Sequence, residues 1–237
     1  MKIQRKYLWI AFAILMIVIR LACDDEEISS IDLEAIEEEN QEVVEEASKG
    51  RIVIDPGHGG ADPGKVGING ALEKNINLVV SLLIREELQD RGYEVIMTRE
   101  EDTGTLADEA FNKEADLAAR VETVNESEPD LVVSIHQNSY TSESVKGPQV
   151  FYYSNSVEGQ MAAQIIQEEL WELDPDSIRQ IAENDSYYLL TRTSYTTVIV
   201  ECGFLSNTSD AQKLIDPTYQ QQLAETIVDG IERYLSQ

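Results

Sequence analysis

The chain contains only two histidines, and each follows an apolar stretch. His58 comes after the run 52–54 and a sharp Asp-Pro-Gly turn, and His136 directly follows the stretch 131–135. Short apolar runs bounded by turn residues predict buried strands, so each histidine is expected where a strand ends. Imidazole is a common ligand of zinc and other transition metals. The two residues therefore predict a metal site.

Two glutamates occur where they can join the histidines. Glu73 lies at the predicted start of the first helix after His58, and Glu201 directly follows the apolar run 197–200. In a parallel sheet, strand ends and the helix starts that follow them share one edge. Two imidazoles and one carboxylate leave a coordination position open, as in catalytic zinc sites, and the spare carboxylate Glu201 can act as a base. Asp55 is predicted to orient the His58 ring from behind.

Each of these residues also has a structural explanation. A histidine after a strand is commonly a loop or core residue, and Glu73 at a helix start is favoured by the helix dipole alone. Glu201 is harder to explain, because a carboxylate among apolar residues is costly to bury without a purpose. Its neighbour Cys202 can be a ligand or nucleophile, but alternation along the strand favours a small buried hydrophobe on the opposite face.

Strand and helix patterns alternate from Arg51 onward. Strands are predicted over 52–54, 93–97, 131–135, 149–153 and 197–200, and helices over about 73–91, 106–125, 158–173 and 216–234. Near-continuous apolar strands alternating with helices are typical of a mostly parallel sheet covered on both faces. The sequence therefore predicts a single α/β catalytic domain, 51–237, with a twisted, mostly parallel sheet of about six strands.

The amino-terminal residues 1–23 carry a targeting pattern. Basic residues precede an apolar run over 7–19, which spans about 20 Å as a helix and falls short of a bilayer core of about 30 Å. This length favours a signal peptide or a short membrane anchor. The basic flank predicts that the rest of the chain lies outside the cytoplasm, secreted or anchored at the cell envelope. Lipidation at Cys23 stays open, although Arg20 is unusual near such a cleavage site.

Residues 24–50 form an acidic segment that is predicted to be a linker. Its charges repel one another, which favours a solvated spacer, while a weak helical periodicity leaves open a segment that docks on the domain or on a partner. The whole chain has a formal charge of −27. Nucleic acid is excluded as a partner, because binding phosphates needs clustered Lys and Arg.

Five segments together resemble the zinc-dependent N-acetylmuramoyl-L-alanine amidases of the amidase-3 family. They are Ile-Asp-Pro-Gly-His-Gly-Gly (54–60), Leu-Glu-Lys-Asn (72–75), Met-Thr-Arg (97–99), Ser-Ile-His-Gln-Asn (134–138) and Val-Glu-Cys-Gly-Phe-Leu-Ser-Asn (200–207). The resemblance implies that His58, Glu73 and His136 bind Zn²⁺ and that Glu201 is the catalytic base. It also implies that Asn138 contacts water or substrate. The substrate implied is peptidoglycan, cleaved between the lactyl group of N-acetylmuramic acid and the L-alanine of the stem peptide.

Within this family, the chain looks most like the spore-cortex, germination-type branch. The segments that carry this likeness are 125–131, 147–153 and 188–190. The stretch between His136 and Glu201 is too short for the long regulatory insertion of some cell-division amidases. Two features depart from the branch, namely the acidic segment and Gln137, where a small or apolar residue is usual. A Leu-x-x-Arg motif ending at Arg120 is expected to be structural.

Two other functions stay open at this point. A carboxypeptidase or other peptidase would share the metal, but it would need groups that recognise a free carboxylate, and the sequence shows neither these nor a His-Glu-x-x-His helix. A cell-wall binding module without activity would be expected to lack a ligand or the base, and all four residues are present. The sequence indicates no particular protein activator.

Overall fold

The structure, a computed structural model, describes residues 48–104 and 112–237. The predicted signal peptide or anchor (1–23) lies outside the described residues, as does nearly all of the acidic linker, so both stay predictions. Within the described ranges, none of the helices combines the length and the apolar character that a membrane crossing requires. Residues 48–50 already bond to the domain, since Lys49 N–H donates to Gly92 O and Glu94 N–H donates to Gly50 O.

Strands and helices alternate along the described chain, as the sequence predicts. In order they are β1 (Arg51–Pro56), α1 (Glu73–Asp90), β2 (Glu94–Met97), α2 (Lys113–Ser127), β3 (Leu131–Asn138), β4 (Gln149–Tyr152), α3 (Val157–Leu173), β5 (Ala182–Glu183), α4 (Tyr188–Arg192), β6 (Thr197–Phe204), α5 (Thr208–Lys213) and α6 (Pro217–Leu235). The predicted α/β class is confirmed.

The strands form one six-stranded sheet in the order β2-β1-β3-β6-β4-β5. β1 pairs in parallel with β2 and β3, and β3 pairs in parallel with β6. β4 is antiparallel to β6 and parallel to β5, so the predicted mostly parallel sheet is confirmed. The chain passes from β1 outward to β2 and then returns to β3 on the other side of β1. Ligand sites of open α/β sheets form at such a reversal of strand order, beside the carboxyl ends of the strands.

Helices cover both faces of the sheet. α1, α3 and α6 pack on one face around a large apolar core, and α2 packs on the other face. Alternation along the strands explains this division, since Ile52 and Ile54 of β1 face the large core while Val53 faces α2. Fully buried core residues include Val80, Ile84, Leu88, Ile166, Leu170, Leu223, Ile227 and Ile231. This core fixes the strand ends that carry the candidate site.

Two strands are longer than predicted. β3 continues past His136 to Asn138, with a register shift between these two residues, and β6 continues to Phe204. Glu201 therefore lies within β6 rather than at its end, because pairing to β3 on one side and β4 on the other extends the strand. The sequence analysis also missed β5, α4 and α5. The predicted start of α2 near residue 106 lies outside the described residues and stays a prediction.

Candidate metal and active site

The two histidines and Glu73 converge at the carboxyl edge of the sheet. His58 Nε2 lies 3.2 Å from Glu73 Oε1, and His136 Nδ1 lies 3.0 Å from the same oxygen. One ligand atom from each residue falls within 4.8 Å of the other two, and the imidazole rings meet edge to face at 5.0 Å. Two imidazole nitrogens and one carboxylate oxygen form a donor set that suits Zn²⁺.

The turn after β1 brings His58 and His136 together by a close backbone approach. A Cβ at Gly57 would lie 2.2 Å from His136 Cε1, so only glycine leaves room for that ring. His58 has φ of 62°, a left-handed conformation that costs a non-glycine residue about 1 kcal/mol or more. Arg120 stabilises this conformation by donating from Nη2 to His58 O at 2.7 Å. The strained residue is thus fixed by its neighbours.

The Glu73 carboxylate is held at both oxygens. The backbone N–H of Gln137 donates to Oε1 at 3.1 Å, and that of Lys65 donates to Oε2 at 2.7 Å. Burial alone would raise the pKa of Glu73, but hydrogen bonds from His136 and His58, together with the charges of these rings, hold the pKa well below its usual range. Glu73 is therefore an ionised, fixed carboxylate, as a metal ligand needs to be.

Glu201 is a buried carboxylate in a different setting. It is the register partner of His136 across β3 and β6, and it is only 6% exposed. The Tyr187 hydroxyl donates to Glu201 Oε1 at 3.2 Å, whereas Oε2 has no hydrogen-bond partner among the described residues. Burial raises the pKa of Glu201. A carboxylate with one oxygen free of hydrogen bonds and a raised pKa takes up a proton more readily than an ordinary carboxylate.

Both glutamates and both histidines line one cavity of about 620 Å³. Asn138 also lines it, at the end of β3, where its Oδ1 accepts from Ser139 N–H at 2.8 Å. The structure therefore brings together the two histidines and two glutamates that the sequence singled out, and Asn138, which the family resemblance implies contacts water or substrate, lies in the wall of the same cavity.

Asp55 does not hold the His58 ring, and this part of the sequence interpretation is wrong. The carboxylate at His58 is Asp62, whose Oδ2 lies 2.8 Å from His58 Nδ1. This contact favours the tautomer with the proton on Nδ1, which leaves the Nε2 lone pair for a metal. Asp62 could have been considered from the sequence, because it lies in the glycine-rich loop that follows His58.

Asp55 instead accepts hydrogen bonds from polar side chains behind the turn that carries His58. It is buried and accepts from Arg120 Nη1 at 2.7 Å, Thr98 Oγ1 at 2.6 Å and Ser134 Oγ at 2.5 Å. Burial raises the pKa of Asp55, but the Arg120 charge and the two hydroxyl donors outweigh it and lower the pKa to about 2. The expected structural role of Arg120 is consistent with these contacts.

Two buried residues next to the site were also singled out in the sequence. Cys202 is buried within the large core and only 1% exposed, and burial raises the pKa of its thiol. The prediction of a small buried hydrophobe is confirmed. Gln137 is also buried, and its Nε2 donates to Asn77 Oδ1 at 3.1 Å, while Asn77 Nδ2 donates to Gly57 O at 3.0 Å. Gln137 thus supports the turn that carries His58.

Two histidines and a glutamate beside a buried carboxylate, at the strand-order reversal of an α/β sheet, form a candidate metal site of the kind found in hydrolases. Residues 52–233 match the family model described as N-acetylmuramoyl-L-alanine amidase, and the chain belongs to this family. The resemblance seen in the sequence motifs is confirmed.

Known relatives agree with this membership. The chain is 40% identical over 191 residues to the germination-specific N-acetylmuramoyl-L-alanine amidase of Bacillus subtilis (strain 168), covering 78% of this chain and 80% of that protein. Among solved structures, it resembles the CwlD amidase from Clostridioides difficile, solved in complex with the GerS lipoprotein. That match has a TM-score of 0.76 at 36% identity and covers 79% of this chain and 98% of CwlD.

A second solved structure, the amidase AmiC2 of Nostoc punctiforme, matches with a TM-score of 0.71 at 30% identity. It covers 80% of this chain and 99% of that one. The described domain therefore corresponds to nearly the whole of both solved chains.

Proposed function

We propose that the chain is a zinc-dependent N-acetylmuramoyl-L-alanine amidase that hydrolyses the amide between the lactyl group of N-acetylmuramic acid and the L-alanine of the stem peptide. The observation that carries this proposal is the convergence of His58, Glu73 and His136 beside Glu201, in a chain of that family. The three converging residues are the proposed ligands, and Glu201 is the proposed base.

Zinc is the metal that the donor set fits. Two imidazoles and one carboxylate are a common three-ligand set of catalytic zinc, and Asp62 supplies the carboxylate that such histidines usually contact behind the metal. When bound, the ion supplies a Lewis acid that polarises the scissile carbonyl and acidifies a water molecule.

The protein groups perform the proton transfers. Glu201 takes a proton from the attacking water on its free oxygen and then returns it to the leaving amine of L-alanine. Its raised pKa suits both steps, because a carboxylate with the usual pKa would return the proton poorly at neutral pH. Asn138 is proposed to contact the substrate or a water at the end of β3.

We further propose that the enzyme acts outside the cytoplasm, in spore-cortex maturation or germination. Support comes from the 40% identity to the germination-specific amidase of Bacillus subtilis. The basic and apolar amino terminus supports an extracytoplasmic place, since peptidoglycan lies there, and the catalytic domain is proposed to cover 51–237 after an acidic linker.

Digestion of purified peptidoglycan tests this function. Mass spectrometry of the products should reveal stem peptides with free L-alanine amino groups and glycan strands with free lactyl carboxylates. New ends within the stem peptide would instead identify a peptidase, and no new ends with retained binding would identify a binding module. Atomic absorption should find one zinc ion per chain.

A similar amidase was solved in complex with a lipoprotein. A low rate of peptidoglycan hydrolysis by the purified chain therefore calls for a second assay in which a partner protein is supplied. The assay should be repeated with an envelope extract from a spore-forming bacterium. A rate increase without a change in the bonds cleaved would then indicate an activating partner for the same reaction.

A further inference from the structure

The two oxygens of Glu201 have different surroundings. Oε1 accepts a hydrogen bond from the Tyr187 hydroxyl at 3.2 Å, and Oε2 is buried without a hydrogen-bond partner among the described residues. Glu73 differs, because its two oxygens accept from the backbone N–H groups of Gln137 and Lys65. A single donor thus divides the Glu201 carboxylate into a held oxygen and a free one.

Tyr187 is well placed to hold that oxygen, because its backbone and ring are both fixed. Its N–H donates to Asn184 Oδ1 at 3.0 Å, and its carbonyl accepts from Thr191 N–H at 3.2 Å. Its ring packs edge to face on Phe151 of β4, with centroids 5.6 Å apart. The hydroxyl is therefore presented to Glu201 by a rigid support.

We propose that Tyr187 is a positioning residue for the amidase reaction, which binds Oε1 of Glu201 and thereby presents Oε2 to the attacking water. The inference rests on the proposed role of Glu201 as the base. A carboxylate without this donor could rotate about its last bond, and its two oxygens would then compete for the reactive position.

A phenol suits this task because it stays a donor throughout the reaction. Burial and the neighbouring Glu201 charge raise the pKa of Tyr187 further above its usual range. The hydroxyl therefore keeps its proton at neutral pH. It can stabilise the carboxylate without competing for the proton that Glu201 transfers.

Tyr187→Phe in the full chain separates this role from simple packing, because it keeps the ring on Phe151 and removes only the hydroxyl. With a soluble glycan–peptide fragment as substrate, kcat should fall about tenfold or more, which is the effect of losing a hydrogen bond to a charged group. KM and zinc content should stay within about twofold of wild type, because the hydrogen bond that the Tyr187 hydroxyl donates goes to Glu201 and not to a proposed ligand.

Tyr153→Phe is the matched control. It also removes one tyrosine hydroxyl, which accepts from Asn155 Nδ2 and does not line the cavity. Its kinetic constants should equal those of wild type. An unchanged kcat in Tyr187→Phe would overturn the proposal, as would a loss that appears only together with lost zinc or a lowered melting temperature.

A double-mutant cycle with Glu201→Gln tests whether Tyr187 acts through Glu201. Tyr187→Phe should cause little further loss in a Glu201→Gln background, because the carboxylate that it positions is already gone. An equal loss in both backgrounds would show an independent role and overturn the proposal. If Glu201→Gln alone keeps the wild-type rate, the proposed base is wrong. If Glu201→Gln is inactive but Tyr187→Phe keeps the wild-type rate, Glu201 remains the proposed base and only the proposed role of Tyr187 is wrong.

Discussion

Glu73 and Glu201 face the same cavity, but their carboxylates lie in opposite electrostatic settings. Glu73 accepts hydrogen bonds at both oxygens and its pKa is lowered, whereas Glu201 accepts a single bond from Tyr187 and its pKa is raised by burial. A metal ligand must stay ionised and fixed, and a base must exchange a proton. The contrast supports Glu73 as the ligand and Glu201 as the base.

Exchanging each carboxylate for its amide tests these two roles. Glu201→Gln keeps shape but cannot accept a proton, so zinc content should stay near wild type while the rate falls about 100-fold or more. Glu73→Gln should bind zinc more weakly and regain part of its activity with excess zinc. Atomic absorption and muropeptide release at several zinc concentrations provide the measurements. If Glu201→Gln contains no metal while Glu73→Gln is loaded with metal but inactive, Glu201 is the ligand and Glu73 is the base.

Asp62→Asn tests the contact behind His58. The amide can no longer hold the Nδ1 proton as a carboxylate does, so zinc affinity should fall about 10- to 100-fold. Competition with a chromophoric chelator measures this affinity without an activity assay. Asp229→Asn is the control, because Asp229 is a surface residue paired with Arg91. If the two variants bind zinc with equal affinity, Asp62 does not support the proposed metal site.

Gly57→Ala should disturb His136 while leaving the fold intact. The added Cβ would lie 2.2 Å from His136 Cε1, so the ring must move away from the other two donors. We expect lost zinc binding together with an unchanged circular dichroism spectrum. Gly70→Ala is the control. Gly70 has φ of 81°, so alanine strains the backbone there, but no heavy atom lies within 4 Å of an added Cβ. That variant should lose some stability and keep its zinc.

The lowered pKa of Asp55 predicts that the free energy of unfolding decreases in acid. Its pKa is about 2 in the folded chain and about 3.9 when unfolded. Because the folded pKa is the lower one, the carboxylate contributes about 2 kcal/mol above pH 4, and this contribution disappears as the pH falls toward 2. Urea unfolding at several pH values between 2 and 5 should therefore give a steep decline for wild type.

In Asp55→Asn the same decline should be shallower, and the variant should be less stable at pH 7 because Arg120 loses one of its two buried carboxylates. Identical pH slopes for the two proteins would contradict the lowered pKa of Asp55.

The sequence predicts the four central residues because their signal is local. His58, His136 and Glu201 each follow an apolar run, and Glu73 begins a helix, so parallel pairing alone brings them to one edge. The same logic predicts the order of strands and helices from Arg51 onward. It does not predict the direction of β4, which lies between β6 and β5 and pairs antiparallel with β6.

Residues whose roles depend on loop geometry were missed. Asp62 contacts His58 across a turn in which His58 adopts a left-handed backbone conformation. Tyr187 lies in an irregular stretch, so no periodicity relates it to Glu201. Asp55 was assigned to the wrong partner, since sequence proximity to His58 hid its hydrogen bonds to Thr98 and Arg120.

Two guanidinium groups hold the backbone of the turn that carries His58. Arg99 donates to Pro56 O and Gly57 O, and Arg120 donates to Pro56 O and His58 O. These contacts hold the turn through protein groups alone, so we expect the domain to fold without the proposed zinc ion. Removing the metal with a chelator should therefore abolish activity without unfolding the chain, and added zinc should restore the activity quickly. We therefore expect metal supply to control the proposed wall hydrolysis reversibly, through enzyme that is already folded.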